Sequence, residues 1–313
     1  MSADKKRSEG STSRSIEPKP LGPNSYMWKD FGSYLYHFML PQAFVLQSAH
    51  PIIDMAITKE KKYLLDPWGR AVNSTALLWP VVYARPENAI EKGRALRELH
   101  RHIKGEGPNG KRYYGLDPEA YSWVHITGFD ASTRMYECFG TPLNPEQRAQ
   151  VFSEWKQMGS MLGIRDADIP QTEAEYWKKF DEIVIDRLEY GEALKDLLDP
   201  GYFSSYPKPK NFQYIPNALW KLAMLVPGWL LHKICIATLP EKFRYKLNIP
   251  LNKRDVLIFK SASWFIRKLY PLLPEKFSYI PLALRARRDA RAYPEAYRES
   301  YQEPSAATTE EFA

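Results

Sequence analysis

Among the six histidines of the sequence, His125 is the one whose neighbours favour chemistry. It lies on a helical stripe that is otherwise apolar, so its side chain is expected to face the interior of the protein. Gly128 and Ser132, three and seven residues further on, share this stripe and are small. Small neighbours leave a flat space beside an imidazole, where a macrocycle held by that imidazole would lie. The alternative is a hydrogen-bonded core histidine.

A second group of candidate residues, Arg97, His100 and Arg101, lies on the preceding predicted helix. His100 falls on the apolar stripe of that helix, and Arg97, three residues earlier, lies on the same flank. A cation beside an inward-facing histidine can bind haem propionates, stabilise bound oxygen, or simply pair with a carboxylate. The residue pattern leaves these three roles open.

The common catalytic motifs are missing from the sequence. The segment 105–110 (GEGPNG) matches the dinucleotide fingerprint in letters, but it follows a predicted helix and contains a proline. The fingerprint must follow a strand and open a helix, because the helix N-terminus binds the pyrophosphate, so this segment is predicted to be a turn. GxxxxGKS/T, HExxH, GxSxG and Glu-x-x-His patterns are also absent, which excludes the commonest hydrolases, kinases and carboxylate-bridged iron enzymes.

The composition, with 313 residues, 44% apolar and 26% charged, is that of a globular protein. Although 44 Lys and Arg against 37 Asp and Glu give a net charge of +7, the charge is spread along the chain. No base-reading motif accompanies it, so nucleic-acid binding is not expected. There are only two cysteines, and the polar N-terminus shows no secretory signal, so a cytoplasmic protein is expected.

Helical periodicity dominates the chain between two polar ends, and no run of alternating strand residues is found. N-cap residues, prolines and glycines mark where the helices begin and end. Helices are predicted over 42–62, 68–83, 87–104, 118–139, 145–162 and 173–198, followed by a loop over 199–213 and further helices from 215 to 292. The sequence thus predicts one all-α domain over 25–297, with disordered tails at 1–24 and 298–313.

The segment 217–239 has the composition closest to that of a membrane span. It nevertheless carries Lys221, Pro227 and Lys233, whereas a spanning helix needs roughly 20 mainly apolar residues. We therefore expect either a kinked core helix or a helix lying on a membrane face. The basic cluster at 285–291 is in keeping with the second alternative.

Five segments, taken in order, resemble a known family. They are 47–51 (QSAHP), 66–70 (DPWGR), 97–105 (RELHRHIKG), 109–118 (NGKRYYGLDP) and 123–127 (WVHIT). Each segment is unspecific by itself. The ordered set, over residues 40–200 and more weakly to 285, resembles the MpaB-type oxygenase and latex-clearing-protein (rubber oxygenase) family.

This resemblance implies an all-helical fold, related to the globin core, that holds one non-covalent haem b. His125 is similar to the proximal iron ligand of that family, and Arg97 matches an arginine of its distal segment. Rubber-cleaving members carry a lysine where this chain has His100 and a threonine where it has Arg101. The resemblance therefore does not imply that this chain cleaves rubber. His100 is either a second, distal iron ligand or a hydrogen-bonding group for bound oxygen.

Three functions follow as alternatives. The first is a haem b-dependent oxygenase that uses O2 on an apolar, unsaturated lipid or terpenoid-like substrate and cleaves a C=C bond to carbonyl products. In this enzyme Arg97 and His100 are the catalytic residues, and His125, His100, Arg97 and Arg101 bind the haem. The second is a non-enzymatic helical protein that binds lipid or the periphery of a membrane. The third is a haem sensor with six-coordinate iron held by His100 and His125.

Overall fold

The computed structural model describes residues 17–107, 110–298 and 300. Its helices, in chain order, are α1 (Tyr26–Asp30), α2 (Tyr34–His37), α3 (Leu40–Ser48), α4 (Pro51–Thr58), α5 (Lys62–Leu65), α6 (Pro67–Tyr83), α7 (Pro86–Arg101), α8 (Pro118–Phe139), α9 (Pro145–Met161), α10 (Glu173–Glu182), α11 (Glu192–Leu197), α12 (Asn217–Thr238), α13 (Glu241–Lys246), α14 (Lys253–Leu269), α15 (Glu275–Ser278) and α16 (Pro281–Ala292). The predicted all-α class is confirmed.

The remaining regular structure is short. Strands β1 (Lys104–Glu106) and β2 (Arg112–Tyr114) form an antiparallel hairpin between α7 and α8. One π-helical turn and five 3-10 turns occur among the described residues, at Ile183–Arg187, Asp166–Asp168, Phe203–Ser205, Lys210–Phe212, Tyr270–Leu272 and Pro294–Tyr297.

Helix α8 is the centre of the fold. It begins where Asp117 accepts a hydrogen bond from the Ala120 N–H at 3.0 Å, with Pro118 in the first helical position. It ends before Gly140, and both limits agree with the prediction. Helices α2, α3, α9 and α14 pack around it, so most of its side chains are buried. A residue in the middle of α8 is therefore surrounded by protein on several sides.

Two predicted helices are interrupted, each for a physical reason. The helix predicted over 42–62 divides into α3 and α4, because Pro51 holds the preceding residue, His50, in an extended conformation. The helix predicted over 173–198 divides into α10, the π-helical turn and α11. After the π-helical turn the chain becomes extended, and the N–H of Glu189 donates to the carbonyl oxygen of Ala49 at 2.8 Å. A tertiary hydrogen bond thus replaces a helical one.

The segment 105–110 lies in the β1–β2 hairpin, which the helical periodicity did not predict. Gly110 has φ of +74°, and its N–H donates to the carbonyl oxygen of Gly107 at 3.0 Å. This hydrogen bond is that of the predicted turn, whereas Gly105 and Glu106 belong to β1, and residues 108 and 109 lie outside the described part of the chain.

The predicted tails lie mostly outside the described residues, which begin at 17 and end at 300. The described part of the first tail packs against α9. Leu21 is fully buried, and the Nε2 group of Gln157 donates to the carbonyl oxygens of Glu17 and Lys19 at 2.9 and 3.1 Å. The packed chain therefore begins earlier than residue 25.

Candidate functional site

His125 lies in α8, two turns after the helix begins, and its side chain is buried as the periodicity predicted. Its imidazole stacks on the indole of Trp155 in α9, with the ring centroids 4.3 Å apart and the planes 4° from parallel. The Nε1 group of Trp155 also donates to the carbonyl oxygen of His125 at 2.9 Å. These two contacts fix the orientation of the imidazole against α9.

A small residue that the sequence did not indicate, Gly159 of α9, lies beside the imidazole. A Cβ atom on Gly159 would lie 2.7 Å from the Nε2 atom of His125, closer than such contacts occur. A Cβ atom on Gly128 would instead approach the hydroxyl of Tyr36, at 3.8 Å. That Gly128 and Ser132 leave space for a macrocycle stays a prediction, whereas Gly159 is brought to His125 by the packing of α9 against α8.

The Nε2 atom of His125 is buried and has no hydrogen-bond partner among the described residues. Burial lowers the pKa of His125 from 6.5 to about 3, an effect that the backbone of Trp155 partly opposes. The imidazole is therefore neutral at physiological pH, which is the form that binds metals. A buried polar atom without a partner costs free energy, so its retention needs a reason.

Arg97 and Arg101 lie at the end of α7, on the wall of a cavity of about 390 Å³. The Nε group of Arg97 donates to the carbonyl oxygen of Gly163 at 3.1 Å, and Arg101 forms an ion pair with Glu98 at 3.2 Å. A third arginine in the wall, Arg165, was not predicted. The complete lining is Arg97, Arg101, Tyr114, Leu116, Pro118, Tyr121, Gly163, Ile164, Arg165 and Asp168.

His100 is half-buried and does not line this cavity. Its Nδ1 group donates to the carbonyl oxygen of Leu96 at 2.8 Å, so the neutral ring keeps its lone pair on Nε2. The ring packs edge-on against Tyr121, with the centroids 5.4 Å apart. Tyr121 lies one helical turn before His125 on α8 and belongs to the cavity wall.

Tyr121 thus connects the predicted site residues. The structure brings Arg97 and Arg101 into one cavity wall with Tyr121, whose ring also packs against His100. The hydroxyl of Tyr121 donates to the carbonyl oxygen of Leu162 at 3.0 Å, so its side chain crosses from α8 to the end of α9. In this region the ring of Tyr121 packs against His100, and the indole of Trp155 packs against His125.

A second cavity, of about 570 Å³, is lined by Asp166, Ala167, Ile169, Pro170, Gln171, Glu175 and Lys179. Its wall includes Ile169, whose Cδ1 atom would lie 3.0 Å from a Cβ on Gly159, and Lys179, whose charge acts on His125. Ile169 therefore lies close to Gly159 as well as to this cavity.

Trp155, Gly159 and Tyr121 are the site residues that sequence reasoning missed. A signal for the first two exists, because Trp155 and Gly159 are four residues apart and so share one face of α9. Tyr121 belongs to the stripe of His125 by the same spacing. In each case the spacing indicates a shared face but does not say which residue of another helix that face meets.

The donor set fits haem better than a bare metal ion. The described residues contain no group of three or more His, Cys, Asp or Glu side chains placed to hold a metal. Haem brings four nitrogen ligands of its own and needs only one or two from the protein, and His125 offers one neutral, unpartnered Nε2 atom. Trp155 covers one face of the imidazole, but the lone pair of Nε2 lies in the ring plane. Gly159 of α9 lies close to Nε2, so binding of a macrocycle at this atom needs α9 to shift.

The family described as "ER-bound oxygenase mpaB/B'/Rubber oxygenase, catalytic domain" matches residues 28–268. No curated protein and no solved structure gives a significant match. The family match covers the helices from α3 to α13 entirely, including every residue of the candidate site. Because it spans most of the chain, the protein belongs to this family of oxygenase catalytic domains and is an oxidoreductase.

Proposed function

We propose that this oxygenase depends on haem b, that His125 binds the iron, and that it uses O2 on an apolar, unsaturated lipid or terpenoid-like substrate. Cleavage of a C=C bond to carbonyl products is the reaction we propose. The cytoplasmic location expected from the sequence is part of this proposal. Bound haem would supply the redox-active iron that O2 chemistry needs.

The observation that carries the proposal is the Nε2 atom of His125. It is buried, neutral at physiological pH and unpartnered within the described residues, and the residue of α9 that approaches it, Gly159, has no side chain. A ligand to Nε2 would satisfy the atom and remove the cost of its burial. The carbonyl oxygen of His125 accepts a hydrogen bond from Trp155, which steadies the backbone that carries the ligand.

The three arginines are proposed to bind the anionic groups of the cofactor. Arg97, Arg101 and Arg165 give one cavity a positive lining one helical turn from His125. Arg165 is held by Asp168 through two hydrogen bonds, and Arg101 by Glu98, so these guanidinium groups are oriented in advance. Carboxylates of a propionate type fit such a lining.

His100 is proposed to act through its Nε2 atom. Since Nδ1 donates to Leu96, Nε2 of the neutral ring is an acceptor, able to take a proton or to bind iron. It donates a hydrogen bond only when the ring is protonated. Ligation by His100 is the arrangement that the six-coordinate sensor requires, and proton acceptance is the one that fits an oxygenase.

The first test is the absorption spectrum of the purified protein, oxidised and then reduced, with and without carbon monoxide. We expect a Soret band with stoichiometric haem that shifts with carbon monoxide. His125→Ala should lose the band, and His125→Gly should regain it when imidazole is added. His232→Ala is the matched control, because His232 is also a buried histidine with one unpartnered ring nitrogen among the described residues.

Two outcomes would contradict the proposal. One is a protein that stays colourless after reconstitution with haem, and the other is full haem content in His125→Ala. A six-coordinate ferrous spectrum that carbon monoxide does not change would favour the sensor. For the haem-loaded protein, oxygen uptake with unsaturated lipids and terpenoids then tests the substrate class, and His100→Gln should slow turnover without removing the haem.

A further inference from the structure

The N-terminal half of α12 is apolar and faces solvent. Leu219, Leu222, Leu225 and Val226 are all exposed, with 64% of Leu222 and 68% of Val226 accessible. They recur at helical spacing, and Trp229 continues the same exposed region. Patches of this kind usually mark a surface that contacts a partner or a membrane.

Helix α14, the turn after it and α15 repeat this pattern of exposed apolar residues. Helices α12 and α14 contact each other, and Lys233 of α12 forms an ion pair with Asp255 of α14 at 2.8 Å. The exposed apolar residues here are Leu257, Trp264, Phe265, Leu269, Leu272, Leu273 and Phe277. We call the exposed apolar residues of α12 and α14, with those of the turn that follows α14 and of α15, the α12–α14 face.

Helix α12 is long and apolar enough to cross a membrane, the one such helix among the described residues. Its C-terminal half, however, belongs to the core: Ile234 and Cys235 are buried, and His232 bonds to the carbonyl oxygen of Leu198. This half cannot enter a bilayer while the fold is intact. Only the exposed half is free to do so, and it is too short to span.

The charge around the face is strongly basic. Residues 208–276 contain thirteen Lys and Arg but only three Asp and Glu. Among them Lys221, Lys260 and Lys268 are exposed on α12 and α14, between the apolar residues. Exposed Leu, Trp and Phe mixed with lysines are typical of helices that lie in the interface of an anionic bilayer.

We propose that the α12–α14 face docks the protein on an anionic lipid bilayer. The exposed apolar side chains enter the boundary between headgroups and acyl chains, and the lysines contact the anionic headgroups. The docking is peripheral, since the buried half of α12 keeps it in the protein. This inference goes beyond the proposed function and does not depend on haem, although a bilayer is also where an apolar substrate would be concentrated.

The test is co-sedimentation of the full chain with vesicles of phosphatidylcholine alone or mixed with phosphatidylserine, at rising salt. We expect binding to the mixed vesicles that weakens with salt. Leu222→Ser with Val226→Ser should lower the partition coefficient by about tenfold or more. Lys260→Gln with Lys268→Gln should lower it by about fivefold for each charge removed.

Matched controls change the same residue types elsewhere. Ile185→Ser with Tyr190→Ser removes two exposed apolar side chains from another region, and Lys92→Gln with Arg94→Gln removes two exposed charges from α7. Both pairs should leave partitioning unchanged. Haem content measured on each variant should also be unchanged, which separates failure of this proposal from failure of the proposed function.

Three results would overturn the proposal. The first is no binding to either kind of vesicle, or binding that Leu222→Ser with Val226→Ser does not weaken. The second is a concentration-dependent dimer that the same pair dissociates, because the face is then an interface between two copies of this chain. The third is binding that resists extraction with alkaline carbonate, because the chain is then integral to the membrane.

Discussion

The interior between α8 and α9 and the α12–α14 face use similar residues in opposite surroundings. In the interior, Trp155 is 2% exposed and stacks on His125, and the feature left unsatisfied is polar, the Nε2 atom of that histidine. On the face, Trp264 is 57% exposed, and what is left unsatisfied is apolar surface. The buried Nε2 atom lacks a polar partner among the described residues, and the exposed side chains of the α12–α14 face lack an apolar partner. We therefore infer a bound ligand for the interior and a lipid surface for the face.

The largest expected difference between the regions is in stability. Trp155→Ala removes a buried indole and its hydrogen bond to His125, and should lower the free energy of unfolding by about 3–5 kcal/mol. Urea unfolding of the variant and the parent measures this. If the free energy of unfolding falls by less than about 1 kcal/mol, the stacking of Trp155 on His125 contributes little to stability. The two regions would then not differ in stability as expected.

The next effect comes from a buried carboxyl group on α9. Burial raises the pKa of Glu154 from 4.5 to about 7, against hydrogen bonds from the backbone of Met27 and from Gln150. Between these values the folded protein holds a proton that the unfolded chain has released, so the free energy of unfolding falls as pH rises. From pH 5 to pH 7 the contribution of Glu154 should fall by about 2 kcal/mol.

Glu154→Gln tests this pH dependence, because the amide keeps an acceptor for the Met27 N–H but does not ionise in this range. The difference in unfolding free energy between parent and variant should therefore change with pH. Urea unfolding at several pH values measures it. Parallel curves for the two proteins would show that Glu154 keeps an ordinary pKa in the fold.

A smaller effect is expected at Gly159. In Gly159→Ala the new Cβ atom meets Nε2 of His125 at 2.7 Å and Cδ1 of Ile169 at 3.0 Å, so the helices must separate. We expect a loss of about 1–2 kcal/mol, since overpacking costs about 1–3 kcal/mol and alanine is the better helix former. Gly128→Ala is the control, because its Cβ has space.

The cofactor makes the Gly159 variant more informative. The same methyl group would stand in front of Nε2, so haem titration should show weaker binding in Gly159→Ala and unchanged binding in Gly128→Ala. Equal affinity in both variants would place the bound iron on another side of His125.

The smallest effect is expected on the α12–α14 face. Trp264→Ala should change the free energy of unfolding by no more than about 0.5 kcal/mol, because the indole is mostly exposed. Among the aromatic side chains of the described residues, it contacts only Phe265. Urea unfolding checks this beside Trp155→Ala. A loss near that of Trp155→Ala would mean that the face is covered by protein in solution.

Local signals account for the parts of the fold that the sequence predicted well. Helix α9 begins at a capping box in which Asn144 and Gln147 exchange hydrogen bonds, and the predicted start of 145 is confirmed. The break after α10 was not predicted, because its cause is a hydrogen bond from Glu189 to Ala49, more than 100 residues away. The hairpin was missed as well, since three-residue strands leave no alternating pattern long enough to detect.

The sequence by itself determined the family, the limits of the central helix and the inward orientation of His125. These follow from ordered segments, from capping residues adjacent to the helices and from a 3.6-residue period, all of which are local. Only the tertiary structure decided that Trp155 and Gly159 meet the imidazole, and that Tyr121 lies between His100 and the arginine-lined cavity. It also decided that half of α12 is core and half is exposed, because periodicity defines a face but packing chooses what that face contacts.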